Sequence, residues 1–248
     1  MDDMTLTDYL AQGGKLTAPD NVPPRYRGEL MRLMASFVDS ELAGSAGFAE
    51  IINDAPGITP RIAAARIVAE KTDHAGRVLE VMGEFGADTS RYATAHPWAL
   101  RVPRDMDLGA ERHGNDMRLS VFHYPLTGWE DAVAMNVLMG LAAAVQFSEL
   151  TRVSYAPLAE IFRDVAKREA RHTELGIAGL KELVGSEPDT VKHSLTYWRP
   201  RVATSFGREN SDRFERLQAM GLRHRRNEDL LTDWQSKVTE TLTPLGLA

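Results

Sequence analysis

Glu169-Ala-Arg-His172 places a carboxylate and an imidazole three residues apart, and at helical pitch both then project from one face, able to hold a single metal ion. Two further residues of ligand type fall on the apolar stripes of other helices. Glu41 follows Leu30, Met34, Phe37 and Val38, and His74 shares a face with Glu70, Arg77 and Val81. Glu41, His74, Glu169 and His172 can therefore converge from three helices as candidate metal-binding and catalytic residues. Burying Glu41 and Glu169 without a cation would cost on the order of several kcal/mol each. Two arrangements meet that requirement: a divalent metal bound by the four residues, or the Arg77 guanidinium standing where a metal would. Glu70 reads as a solvated or supporting residue beside His74. His96, His113, His123, His193 and His224 lack partner spacing and read as surface or loop histidines.

The elements that must position these residues are helical. An arm at 1–25, rich in Gly, Pro and Asp, reads as extended and leads into one domain over 26–248. Apolar spacing predicts a helix over about 26–50. Thr59-Pro60 opens a second that runs to Gly86. Residues 87–126 carry no period, so a short helix or a functional crossover is expected there. Thr127-Gly-Trp-Glu130 reads as a capping box for a third, nearly all-apolar helix ending near Tyr155. A fourth runs from about Pro157 to Gly185 and carries Glu169 and His172 inward. Ser186-Glu-Pro-Asp189 caps a fifth, and a charge-laced sixth spans about 212–241. Four long core helices with additional C-terminal helices make an all-α bundle.

Composition narrows the chemistry. The 248 residues contain no cysteine, so thiol nucleophiles, iron–sulfur clusters and thiolate zinc sites are excluded and any metal must take nitrogen and oxygen ligands. There is no glycine-rich phosphate loop. A net charge of −6 argues against nucleic acid or an acidic membrane as a general partner. The acidic start Met1-Asp2-Asp3 is unlike a signal peptide, and the apolar stretch Val137–Val145 falls short of the ~20 residues that span a bilayer. A cytoplasmic protein is expected.

The chain resembles the catalytic subunit of the multicomponent phenylacetyl-CoA epoxidase, a ferritin-like di-iron monooxygenase of phenylacetic acid catabolism. The likeness lies in Tyr26-Arg27, Ser40-Glu41, Asp73-His74-Ala75-Gly76, Ser154-Tyr155-Ala156-Pro157, Glu169-x-x-His172, Trp198-x-Pro200, Phe206-Gly207 and Asn227-Glu228-Asp229-Leu230, in order along nearly the whole chain. The resemblance implies a ferritin-like four-helix bundle with iron ligands from a first-helix Glu, a second-helix Glu-x-x-His, a third-helix Asp and a fourth-helix Glu-x-x-His. Glu41, Glu169 and His172 match; His74 stands for the second-helix Glu, Arg77 for its His and Gly140 for the Asp. Four carboxylates balance two ferrous ions, whereas two carboxylates and two imidazoles balance one, so one ion of iron or manganese is expected rather than two. The activity implied is an O2-dependent oxidoreductase acting on an acyl-CoA or another small aromatic or carboxylic compound, oligomeric, with a second ferritin-like subunit and a separate electron-donor reductase. On that resemblance, Arg223-His224-Arg225-Arg226 and the arginines at 199, 201 and 208 could meet CoA phosphates. The alternative is a non-catalytic scaffold or regulatory subunit, closed at its centre by Arg77.

Overall fold

A computed structural model describes residues 5–90, 92 and 98–247. Its helices are α1 (Leu6–Ala11), α2 (Pro24–Ile51), α3 (Ile58–Glu84), α4 (Trp129–Leu150), α5 (Ala156–Ser186), α6 (Pro188–Ala203), α7 (Phe214–Ala219) and α8 (Asn227–Leu242). No strand occurs among the described residues. Short connections force α2 against α3 and α4 against α5 as antiparallel pairs, and α3 meets α5 to close the bundle. The apolar faces fill two main clusters. One lies around Leu30, Val38, Val78, Phe147 and Phe162, and the other joins α4 to Trp198 of α6 and Trp234 of α8. The Trp234 indole N–H, buried with them, donates to the Leu138 carbonyl at 3.0 Å. Helix α4 is long and apolar enough to cross a membrane, yet most of it is buried inside the bundle, as expected of a central helix.

Several expected boundaries differ. The arm is not wholly extended: a capping box between Thr5 and Asp8 starts α1, and Leu16 then pairs through its backbone with Ser154 and Ala156 at 2.8 Å. Helix α3 begins at Ile58 behind Gly57, so Thr59 lies within the first turn instead of capping it. Thr127 makes no capping box either. The Asp131 carboxylate reaches back to the Thr127 N–H at 3.1 Å, and Gly128 is the cap. Ser186 closes α5 and does not cap α6. The expected sixth helix is two, because Gly221 turns the chain at φ 63°, where a Cβ would lie 2.9 Å from that of Ser154. Buried Glu149 then accepts the His224 and Arg225 N–H groups at 2.5 and 2.9 Å.

The long crossover from α3 to α4 contains a 3₁₀ turn at Ser120–His123, and part of it lies outside the described residues. It is pinned beside the future site. Asp39 accepts the Met117 N–H at 2.6 Å and Ser40 accepts that of Leu119 at 3.0 Å, so α2 is tied down immediately before Glu41. Gly44 lets the crossover approach, since a Cβ there would lie 3.3 Å from the Phe122 ring.

Candidate functional site

Glu41 from α2, His74 from α3 and Glu169 and His172 from α5 meet at the bundle centre, with relative exposures of 8%, 0%, 5% and 1%. Their convergence is as the apolar stripes predict. Glu41, His74 and Glu169 offer ligand atoms within 4.8 Å of one another, a group that could bind a metal ion. His172 stands to one side: its Nε2 lies 2.7 Å from the Glu70 carboxylate, and its Nδ1 3.3 Å from Glu169. Glu70 is thus the partner that orients His172. Asn136 adds a bond from its amide to the His172 carbonyl at 3.1 Å.

The cation between the carboxylates is Lys71, a residue that the sequence reading missed. Its Nζ donates to Glu41 Oε1 at 3.1 Å and to Glu169 Oε1 at 2.9 Å. His74 Nδ1 sits 3.0 Å from Glu41 Oε2 and 3.3 Å from Glu169 Oε1. Burial alone would strip the Lys71 proton, but Glu169 and Glu41 more than reverse this and raise its pKa above the ordinary lysine value. The same balance holds for His74, where the two carboxylates overcome burial and favour imidazolium. Burial would likewise keep Glu169 protonated, yet Lys71, His172 and His74 hold it well below the usual carboxylate range. The Lys71 ammonium, with His74 beside it, thus offsets the two buried carboxylates.

Arg77 is not part of this centre. Its guanidinium reaches outward to Asp164 at 2.5 Å, one turn beyond His74 on a half-exposed face, so it closes nothing. The metal-ligand register also shifts by three residues. Lys71 and His74, spaced i and i+3 on α3, face Glu169 and His172 on α5, so His74 occupies the histidine position of a Glu-x-x-His pair and Lys71 the carboxylate position. The signal was present in the sequence as Lys71-x-x-His74. Gly140 of α4 is equally informative: a Cβ there would lie 2.2 Å from Thr173 Oγ1, which is fixed by its bond to the Glu169 carbonyl at 2.9 Å. No third-helix carboxylate fits.

A cavity of 1420 Å3 reaches this centre at Glu41, Lys71 and Glu169, passing Phe37, Phe122, Phe147 and Met139. Five of the anticipated arginines have protein partners. Arg208 pairs with Glu111, Arg225 with Asp233 and Arg226 with Glu215, while Arg201 donates to backbone carbonyls and Arg223 to Gln146 and Asn227. His123 is buried, contrary to its expected surface place, and burial with the Arg118 charge pushes its pKa down to about 4. His96 lies outside the described residues.

An all-α bundle with one long crossover, enclosing glutamates and histidines contributed by facing helices, defines a ferritin-like protein. Within that class the chain belongs to the phenylacetic acid catabolic protein family, whose model matches residues 4–248. No curated protein matches it. The implied di-iron centre does not fit the residues present: one carboxylate position holds Lys71, another is Gly140 packed under Thr173, and the two glutamates that remain are already bridged by the Lys71 ammonium.

Proposed function

We propose that this chain is a non-catalytic, assembly-forming subunit of an oxygenase-type complex of phenylacetic acid catabolism, its centre closed by Lys71. The observation that carries the reading is the Lys71 ammonium bridging Glu41 and Glu169 in the interior. A fixed ammonium supplies one positive charge without depending on metal supply, and it keeps α2, α3 and α5 in register. In this reading a second ferritin-like subunit holds a complete ligand set and the acyl-CoA substrate, and a reductase delivers electrons to that subunit. The complex works in the cytoplasm.

The 4.8 Å grouping of Glu41, His74 and Glu169 favours a second reading, a mononuclear iron or manganese oxidoreductase. Binding would require His74 to lose its proton and Lys71 to withdraw. Elemental analysis separates the two. Protein produced with iron and manganese in excess should carry well under one ion per chain and show no O2 uptake by itself. Stoichiometric metal with His74-dependent binding would establish the second reading and end the first.

A further inference from the structure

A second cleft, of 1010 Å3, lies between the turn after α1, the α4–α5 loop, the outer face of α5 and the connector before α8, and shares no lining residue with the central cavity. Lys15, Arg152, Arg163 and Lys167 line it together with His224, and among the described residues no Asp or Glu does. Such a concentration is against the trend of a chain with net charge −6. Neighbouring basic groups are matched: Arg77 by Asp164, Arg168 by Asp73, Arg213 by Glu29. Arg152, Arg163 and Lys167 make no ion pair among the described residues, although Asp164 lies close enough to Lys167 to feel its charge. Arg163 and Lys167 stand one turn apart on α5, a like-charge spacing that weakens a helix.

The wall is built, not incidental. Lys15 donates from Nζ to the carbonyls of Arg152 and Val153 at 2.8 and 3.2 Å, and the Tyr9 hydroxyl binds both the Lys15 N–H and its carbonyl. Leu16, next in the chain, is locked to Ser154 and Ala156. Burial lowers the Lys15 pKa, and the charges of Arg163 and Arg152 lower it further, so the cations feel one another across the cleft. A pocket whose lining carries four cations and no carboxylate is complementary to an anion.

We propose that this cleft binds a small molecule bearing two or more phosphate charges, with Arg152 and Arg163 presenting paired N–H donors and Lys15 and Lys167 acting as point charges. Four cations suit a diphosphate better than a single phosphate. The site is independent of what the bundle centre holds. Phosphate is common to soluble diphosphates and to lipid headgroups, and the test distinguishes them.

Isothermal titration of the full chain with inorganic pyrophosphate should give saturable one-to-one binding. Orthophosphate and sulfate at matched ionic strength should bind at least about tenfold more weakly. The double variant Arg163→Gln/Lys167→Gln should lose at least about tenfold in pyrophosphate affinity, while its ligand-free melting temperature stays equal or rises as like-charge repulsion is relieved. In a parallel arm, cosedimentation with phosphatidic acid vesicles but not phosphatidylcholine vesicles, lost in the same variant, would assign the phosphate to a headgroup. The proposal is overturned if neither pyrophosphate nor phosphatidic acid binds, if sulfate binds as tightly as pyrophosphate, or if the double variant binds as the parent does.

Discussion

Replacing Lys71 with Met keeps a flexible side chain of similar volume and removes the ammonium that lies 3.1 and 2.9 Å from Glu41 and Glu169. Two carboxylates are then left in the interior with His74 as their remaining close cation. Removing one partner of a buried ion pair costs about 3–5 kcal/mol. For a chain of this size each kcal/mol moves the melting temperature by roughly 2–4 °C, so a fall of about 6–20 °C is expected by calorimetry or circular dichroism. The pH dependence gives a sharper signature. The Lys71 pKa is raised, so its contribution is complete below the ordinary value of 10.5 and is lost only as pH rises through the folded value. The Glu169 pKa is depressed, so its contribution is complete above 4.5 and is lost as pH falls through the folded value. The His74 pKa is raised too, so its contribution is complete below 6.5 and is lost as pH rises through the folded value, which leaves the centre of the parent protein insensitive only between about pH 5 and 6.5. In Lys71→Met, proton uptake relieves the unpaired anions, so the deficit relative to the parent should shrink on acidification across that range. An unchanged melting temperature, with the parent's pH profile, would refute the closed-centre argument.

The companion Lys71→Glu tests the register. It converts Lys-x-x-His into Glu-x-x-His and adds a third anion, so the metal-free variant should be less stable than Lys71→Met. Anaerobic addition of Fe(II) or Mn(II) should restore stability and give about one bound ion per chain, since a ligand that binds only the folded state stabilises it. Metal binding equal in this variant and the parent would mean that Lys71 excludes nothing.

Other perturbations separate structural from ornamental contacts. Arg77→Ala removes a half-exposed pair with Asp164 and should change the melting temperature by less than about 2 °C. Gly140→Ala should destabilise by about 1–3 kcal/mol through overpacking against Thr173, and Thr173→Ala should recover part of the loss, as double-mutant thermal melts would register. Glu149 is held down to about 2 because hydrogen bonds from His224 and Arg225 outweigh its burial, so its stabilisation is complete above 4.5 and disappears as pH falls towards 2. Glu149→Gln should be less stable by about 2–3 kcal/mol at neutral pH in denaturant titrations and should lack that acid-dependent component.

Periodicity made the bundle legible because four long apolar stripes have one economical packing, and it placed Glu41, Glu169, His74 and His172 indoors for the same reason. Helix ends were less legible. Thr127 and Ser186 have the side chains of caps, but Gly128 caps α4 and Glu187 caps α6, and Gly221 splits a run whose charge pattern is continuous. Lys71 was hidden by its surroundings. In Glu70-Lys71-Thr72-Asp73 it looks like a solvated face, and only its three-residue spacing to His74, matching Glu169 to His172, marks it as facing inward.

Charge clusters mislead in the opposite direction. Arg223, Arg225 and Arg226 are adjacent in the chain and suggest an anion site, yet each diverges at the α7–α8 connector to its own polar partner. Lys15, Arg152, Arg163 and Lys167 come from segments far apart, and folding brings them together without a carboxylate. What decides the fate of a charge is whether a counter-charge lies within reach after packing, as the geometry at Lys71 makes plain. There two glutamates compensate one ammonium so fully that burial is tolerated, and the helices they join no longer need an exchangeable ion to stay together. A bundle stabilised in this way keeps its helix register without depending on metal supply.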